Sequence, residues 1–508
     1  MKKTIQMSVM ALIASCSLGS CLDMTPVSNI TDENMWQNEG QFTSFVYGLH
    51  SRLRDADAQT LFMLGELRSD IYNETTGWTG ESNQVEEITS NTLTGRNMEE
   101  RPGIENFGDL YYNINQINLF IYRASGTTLL SAEDRNYYLG EAYGLRAFYY
   151  FHLLRSWGDV VWNDQPSLGF EVGNLERPAT DAATVMEYIK NDITASEDAF
   201  GSDYSFRDER SLWSKAATLT LKAEVYLWSS RQMNGGTADA QTALDALNDI
   251  QANIPRSELD LLSDFASVFD YENKGNNEII FSLHNAYNEA DLFNGEWRNR
   301  MVPQQTTLSS YYESDGSPIN LNFNGNVYYP LREELYSEYD AADTRQTGTL
   351  RAVYGKDEAG TVSYVGCFAY KFRGMTPSGA SYREFCDDYP IYRYADVLLL
   401  KAEAESLTGG DPTDEINAVR RRAYADAYDE QTVGYPNKAG DNEGIDEVLL
   451  RERFREFMFE GKRWYDLRRF GQEYVMKYSS LKNAEHLLWP IDTDTMTDNP
   501  ALIQTPGY

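Results

Sequence analysis

The stretch 449–471, LLRERFREFMFEGKRWYDLRRFG, constrains what this 508-residue chain can fold into more than any other. Leu450, Phe454, Phe457, Met458, Gly461, Trp464 and Tyr465 recur at the spacing of one stripe on an α-helix. Gly461 lies within the stripe, where glycine costs a helix roughly 1 kcal/mol. A second helix crossing there and needing the room would account for it. Glu452, Glu456 and Glu460 stand four residues apart, and like charges at that spacing repel. They need arginines from elsewhere, and Arg393, Arg420, Arg421 and Arg422 are the candidates. The stretch predicts a core helix onto which other helices dock.

Helical period and Gly or Pro punctuation predict further helices over residues 39–54, 104–124, 134–157, 181–200, 212–231, 238–250, 392–407 and 412–425. Several form pairs across short joints, Gly235-Gly236 among them. Leu139-Gly140-x-x-Tyr143 and Ala147-x-x-x-Phe151 echo tetratricopeptide elements at too short a spacing for one full repeat. Paired helices that cannot bury their faces alone should stack into a superhelix. Residues 65–103 and 276–389 carry no sustained helical period. Within the second, 278–283 reads as a strand and 354–372 as a small hairpin. The expected fold is mainly α, with helix pairs packed against an irregular, loop-rich part holding a few short strands.

Three blocks carry a family resemblance. RERFREFMFEGKRWYDLRRFG, the tail LLWPIDTDTMTDNPALIQTPGY and YPIYRYADVLLLKAEAESLTG (389–409) resemble the SusD-like (RagB/SusD) family of surface nutrient-binding lipoproteins of Bacteroidetes. Thr505 stands where the family usually has Asn before Pro506. The resemblance implies tetratricopeptide-like pairs on one side of the molecule and glycan binding by loop aromatics. It also implies a lid-like role on a SusC-like TonB-dependent transporter, with RagB-like peptide uptake as the alternative cargo.

The first residues agree with an exported, anchored protein. Lys2 and Lys3 precede an apolar run, and Leu18-Gly19-Ser20-Cys21 fits a lipobox whose cysteine takes the lipid. Residues 1–20 are expected to be a signal peptide, 21–38 a lipidated tether, and 39–508 one intimate unit on the outer-membrane surface. The formal net charge is −34, which becomes −36 once Lys2 and Lys3 leave. So acidic a chain argues against nucleic acid or an anionic bilayer as partner. Export permits oxidation of Cys367 and Cys386. They are expected either to lie close together or to be two separate buried thiols.

No catalytic or metal motif stands out. His50, His152, His284 and His486 have no metal spacing, and no zinc, nucleophile-elbow or phosphate-loop signature occurs. A glycoside-hydrolase carboxylate pair is not singled out among the 78 acidic residues, and a non-enzyme without cofactor is expected. Asp492, Asp494 and Asp498 are a candidate Ca²⁺ cluster or else a solvated acidic turn. The remaining signal is aromatic residues in polar loops. A flat ring covers the apolar face of a sugar while neighbouring polar groups bond its hydroxyls. The candidate ligand-binding residues are therefore Arg68, Asp70, Tyr72, Asn73 and Trp78 in the first loop region, and Tyr287, Phe293, Trp297 and Arg298 in the second. Trp78 and Trp297 are expected to form one platform. The competing reading is that these rings pin their loops to the body.

Overall fold

The computed structural model describes residues 35–98, 107–168 and 176–508. Cys21, the signal segment and most of the expected tether lie outside the described residues. The last tether residues do not stand free: Trp36 packs on Phe42, Phe45 and Phe120, and Asn38 caps the first helix by accepting from the Gln41 N–H.

Helices α1 (Glu39–Arg52), α2 (Ala58–Glu66), α3 (Asp109–Ala124), α4 (Ala132–Trp157), α5 (Ala182–Phe200), α6 (Lys215–Gln232) and α7 (Gly236–Asn253) are followed by α8 (Tyr394–Thr408) and α9 (Thr413–Tyr424). Then come α10 (Ile445–Phe457), α11 (Arg463–Phe470) and α12 (Gln472–Tyr478). Ser131, Asp181 and Ser214 cap α4, α5 and α6, which explains why those helices begin where they do. Neighbours pack in succession: α3 on α4, α4 on α5, α5 on α6, α6 on α7, α7 on α8 and α8 on α9. This is the expected stack of helix pairs, and the protein is mostly helical.

The irregular insertion is closed at its base. Strand β1 (Ile279–Leu283) opens it and pairs antiparallel with β4 (Tyr389–Arg393), which ends it. Between them β2 (Leu350–Lys356) and β3 (Val362–Ala369) form the expected hairpin, whose register skips Val365 between the Val353–Gly366 and Tyr354–Tyr364 pairs.

The organising stretch differs from expectation in one respect. It is not one helix: α10 ends at Phe457, and α11 begins at Arg463. Gly461 sits in the break with φ +68°. A crossing helix is indeed the reason for the glycine. A Cβ on Gly65 of α2 would fall 1.8 Å from the Gly461 carbonyl oxygen, so the two backbones touch where neither can carry a side chain.

The glutamates find the expected arginines, and more. Glu452 pairs with Arg420 and Arg345, Glu456 with Arg393, Arg422 and Arg345, and Glu460 with Arg393 and Lys371. Burial alone would raise these carboxyls, but the surrounding cations outweigh it and hold Glu452 and Glu460 down at about 2. Arg421 is not part of the hub; its guanidinium lies over Tyr428.

Candidate functional site

The two irregular regions, far apart in sequence, are built onto each other. The Asn73 N–H donates to the Pro330 carbonyl at 2.8 Å, and the Gln84 N–H to the Tyr328 carbonyl at 3.0 Å. From this seat Trp78 reaches the hairpin. Its indole N–H donates to the Cys367 carbonyl at 2.9 Å, and its ring meets Tyr311 edge-on with centroids 5.0 Å apart. A Cβ at Gly366 would lie 2.7 Å from the indole, so that glycine makes the seat possible. Trp78 stays partly buried, packed on Tyr311 and Phe368.

Beyond the skipped Val365 the hairpin carries a second aromatic group. Tyr364 is 39% exposed. It stacks on Tyr336 at 6.0 Å and 27° and meets its cross-strand neighbour Tyr354 edge-on at 5.9 Å. The Tyr364 hydroxyl donates to the Glu333 carbonyl at 2.6 Å, which fixes the ring. Tyr312 pairs its backbone with Tyr354, and the Lys356 ammonium lies 4.0 Å over its ring. Arg351 and Glu313, 2.6 Å apart, add partly exposed polar groups. The surface combines fixed flat rings with ion-paired hydrogen-bonding groups, an arrangement suited to stacking and to bonding hydroxyls.

Five expected ligand residues are structural instead. Arg68 is fully buried between Trp464 and Trp489 and donates to Asn91 and the Leu488 carbonyl. Asp70 is spent on a bidentate pair with Arg463 at 2.7 and 2.8 Å. Tyr72 is buried and bridges backbone to Leu331. Phe293 and Trp297 are core residues, packed on Phe62 and on each other. Trp78 and Trp297 thus form no common platform: the first faces Tyr311 and Phe368, the second Phe372 and Phe459. Asn73 shapes its own turn, accepting from the Thr75 N–H. Tyr287 is exposed, and Arg298, partly exposed, pairs with Glu384 at 3.4 Å. Sequence reasoning missed Tyr311, Tyr312, Tyr336, Tyr354 and Tyr364. The expected hairpin held a usable signal for one contact, since Tyr354 and Tyr364 lie on its two strands.

The Ca²⁺ candidates do not assemble. Asp492 is buried and accepts from the Thr495 and Phe107 N–H groups, while Asp494 and Asp498 are exposed. Among the described residues no group of three His, Cys, Asp or Glu side chains can hold a metal ion. Cys367 and Cys386 are separate buried thiols, pushed up by burial to about 12 and about 11. Of the carboxyls that burial raises, Glu66, at about 8, accepts from the Phe459 and Lys462 N–H groups, and Asp387, at about 7, from that of Gly374. Both lie in the interior, away from solvent. Among the described residues no helix is long and apolar enough to cross a membrane.

Known proteins resemble this chain along its length. The SusD family model matches residues 265–480, and a second, described as "Starch-binding associating with outer membrane", matches residues 22–227. The structure of Bacteroides fragilis NanU is 47% identical, superposes with a TM-score of 0.88, and is matched over 95% of this chain and 99% of that one. SusD-like protein P38 of Formosa agariphila is 27% identical over 100% of this chain and 99% of its own. The starch-binding protein SusD of Bacteroides thetaiotaomicron is 24% identical over 78% of this chain and 77% of its own. With a relative matched at 47% identity along nearly the whole of both chains, this chain belongs to the SusD family.

Proposed function

We propose that this protein is a lipid-anchored, surface-exposed lipoprotein of the outer membrane. It captures an oligosaccharide without cleaving it and passes it to a SusC-like TonB-dependent transporter. The observation that carries this reading is the seating of Trp78, from the first irregular segment, on the hairpin of the second, whose strand β3 also carries the partly exposed and fixed Tyr364. Each ring is held by a hydrogen bond to backbone, so little side-chain freedom remains to be lost on binding. The Trp78 and Tyr364 rings cover apolar sugar faces, while Arg351, Glu313, Arg298 and exposed Tyr287 lie among the groups that bond hydroxyls. The net charge of −34 favours a neutral polymer over a polyanion. The family description and the named starch-binding relative support the same class of cargo. Capture followed by release calls for dissociation constants of roughly micromolar to millimolar, about −8 to −4 kcal/mol.

The test is affinity electrophoresis of the full chain through gels carrying starch or laminarin, with reducing ends counted in parallel. Retardation with constant reducing ends supports the reading. Sustained release of reducing ends makes the protein a hydrolase, and binding of peptides alone makes it a peptide carrier. The anchor is tested separately: Cys21→Ala should lose incorporation of a palmitate analogue, and equal labelling would remove Cys21 as the acceptor.

A further inference from the structure

A pocket of about 160 Å³ opens where α10, α11 and α12 meet the short turn Glu333–Glu338. Its lining is mainly charged. Arg332, Arg451, Arg455, Arg463 and Lys477 face only two carboxylates, those of Asp70 and Glu338. Such a cluster of cations runs against the chain's net charge of −34. Arg463, Arg451 and Lys477 are spent inside the protein. Arg463 holds Asp70 on two nitrogens and the Leu450 carbonyl on the third. Arg451 pairs with Glu443 at 2.7 Å, and Lys477 with Glu447 at 2.6 Å.

Arg332 and Arg455 are not spent. Arg455 donates its Nε–H to the Glu338 carbonyl at 3.0 Å, which fastens the turn to α10. One of its terminal nitrogens lies 3.7 Å from Glu452, a carboxylate already held by Arg345 and Arg420. Arg332 comes no closer than 3.7 Å to the Glu338 carboxylate, beyond hydrogen-bond length. Among the described residues, the terminal nitrogens of these two guanidinium groups therefore donate no hydrogen bond, and none of them is enclosed. The Arg332 side chain is 34% exposed and that of Arg455 13%, so a solute can meet both. An open guanidinium fork takes two oxygens of a carboxylate or phosphate side by side. A neutral hydroxyl would leave both charges unanswered, and an ammonium would be repelled. Glu338 is the chain's own competitor for this place. Its exposed carboxylate is near enough to attract Arg332 and too far to bond it.

We propose that this pocket is an oxyanion site, separate from Trp78 and the hairpin, and that it takes one carboxylate or phosphate group on Arg332 and Arg455. The acidic body repels polyanions, so the pocket suits a ligand with a single such group. The probes are inorganic phosphate and D-glucuronate, titrated by calorimetry into the full chain at about 0.15 M salt, where exposed charges are already screened. At least one should bind, phosphate alone marking a free anion and glucuronate a carboxylate carried on a sugar. Arg332→Gln and Arg455→Gln should each weaken that isotherm about tenfold or more, as expected for loss of a hydrogen bond to a charged group. Glu338→Gln should tighten it several-fold, a gain that misfolding does not produce. Trp78→Ala should leave it unchanged, so this site and glycan capture can fail separately. Binding of neither anion overturns the proposal. So does an isotherm indifferent to Arg332→Gln and Arg455→Gln, which would mean an adventitious ion only, or a Glu338→Gln protein that binds no more tightly.

Discussion

Trp297→Ala removes an indole that is 1% exposed and ringed by Phe62, Phe293, Phe372 and Phe459. Truncating a buried Trp costs about 3–5 kcal/mol. The four ring contacts, all edge-on, place this site in the upper half of that range, since each such pair adds about 0.5–1.5 kcal/mol. The indole N–H has no partner, so no hydrogen bond is lost with it. Unfolding entropy of roughly 2.1 cal/mol/K per residue, over 508 residues, gives about 1 kcal/mol/K. The melting temperature should therefore fall by about 4–5 °C, measured by scanning calorimetry. Trp78→Ala should behave in the opposite way. It should weaken binding of a retarding glycan by about 1–3 kcal/mol, the value of burying one large apolar side chain, or roughly 5- to 150-fold. Its melting temperature should move far less, because the ring is only partly buried. A Trp297→Ala protein that melts normally but no longer binds would refute the assignment of Trp297 to the core.

Tyr364→Ala should weaken glycan retardation and leave the melting temperature within about 1 °C, given the 39% exposure of the ring; unchanged retardation would take Tyr364 out of the site. Glu456→Gln leaves Arg345, Arg393 and Arg422 around a neutral group and should cost about 3–5 kcal/mol in urea denaturation; a loss below about 1 kcal/mol would show that the hub is dispensable. Thiol titration of denatured, unreduced protein spanning residues 22–508 should find Cys367 and Cys386 both free, and no reactive thiol would mean a disulfide. Stability should peak near roughly pH 5. Glu452 and Glu460, held down at about 2, give stability that is present above their unfolded value of 4.5 and lost as pH falls through 2. Glu66 and Asp387, raised to about 8 and about 7, give stability that is full below their unfolded values and lost as pH rises through 7 and 8. A stability curve flat from pH 3 to 8 would contradict both assignments.

The helix pairs were legible because each buries one stripe, and a stripe repeats often enough within one helix to be counted. The break between α10 and α11 was not, because the stripe runs straight across it. Its cause is the contact of Gly461 with Gly65, almost the whole chain away. The glutamate ladder was legible for an electrostatic reason, since repulsion at four-residue spacing requires partners. Arg345 and Lys371 escaped notice because they come from the aperiodic insertion. Trp297 misled for want of length. It sits in a short helix, Glu296–Met301, where Glu296 and Arg300 pair on one face while Trp297 and Met301 are buried on the other. One turn and a half is too short for a period to show, and polar neighbours then read as a loop tip. Whether a loop aromatic is open or closed depends on what covers it. Trp297 is covered by Phe62, Phe372 and Phe459, from three separate stretches, and nothing near residue 297 records them.

The charged hub explains how so irregular an insertion can sit on so regular a stack. Arg393 is the last residue of β4 and the cap of α8. It binds Glu278 just before β1 at 2.8 Å, together with Glu456 and Glu460 of the organising stretch. Arg422 of α9 binds Glu278 and Glu456 as well. Both ends of the insertion are thus fixed to the helices by the same buried ion pairs and are tied to each other by the β1–β4 ladder. Breaking one partner of such a pair leaves an uncompensated buried charge, so the base resists displacement. Between the two ends, Arg345 and Lys371 reach back into the hub and Trp297 into the core, whereas the Tyr364 end of the hairpin stays partly exposed. The turn of the hairpin can lengthen without moving α8 or α10, because closing a longer loop costs only about 0.6 kcal/mol per doubling. What the hub holds constant is where the base of the insertion stands, and the rings of the hairpin are set by the insertion's own residues.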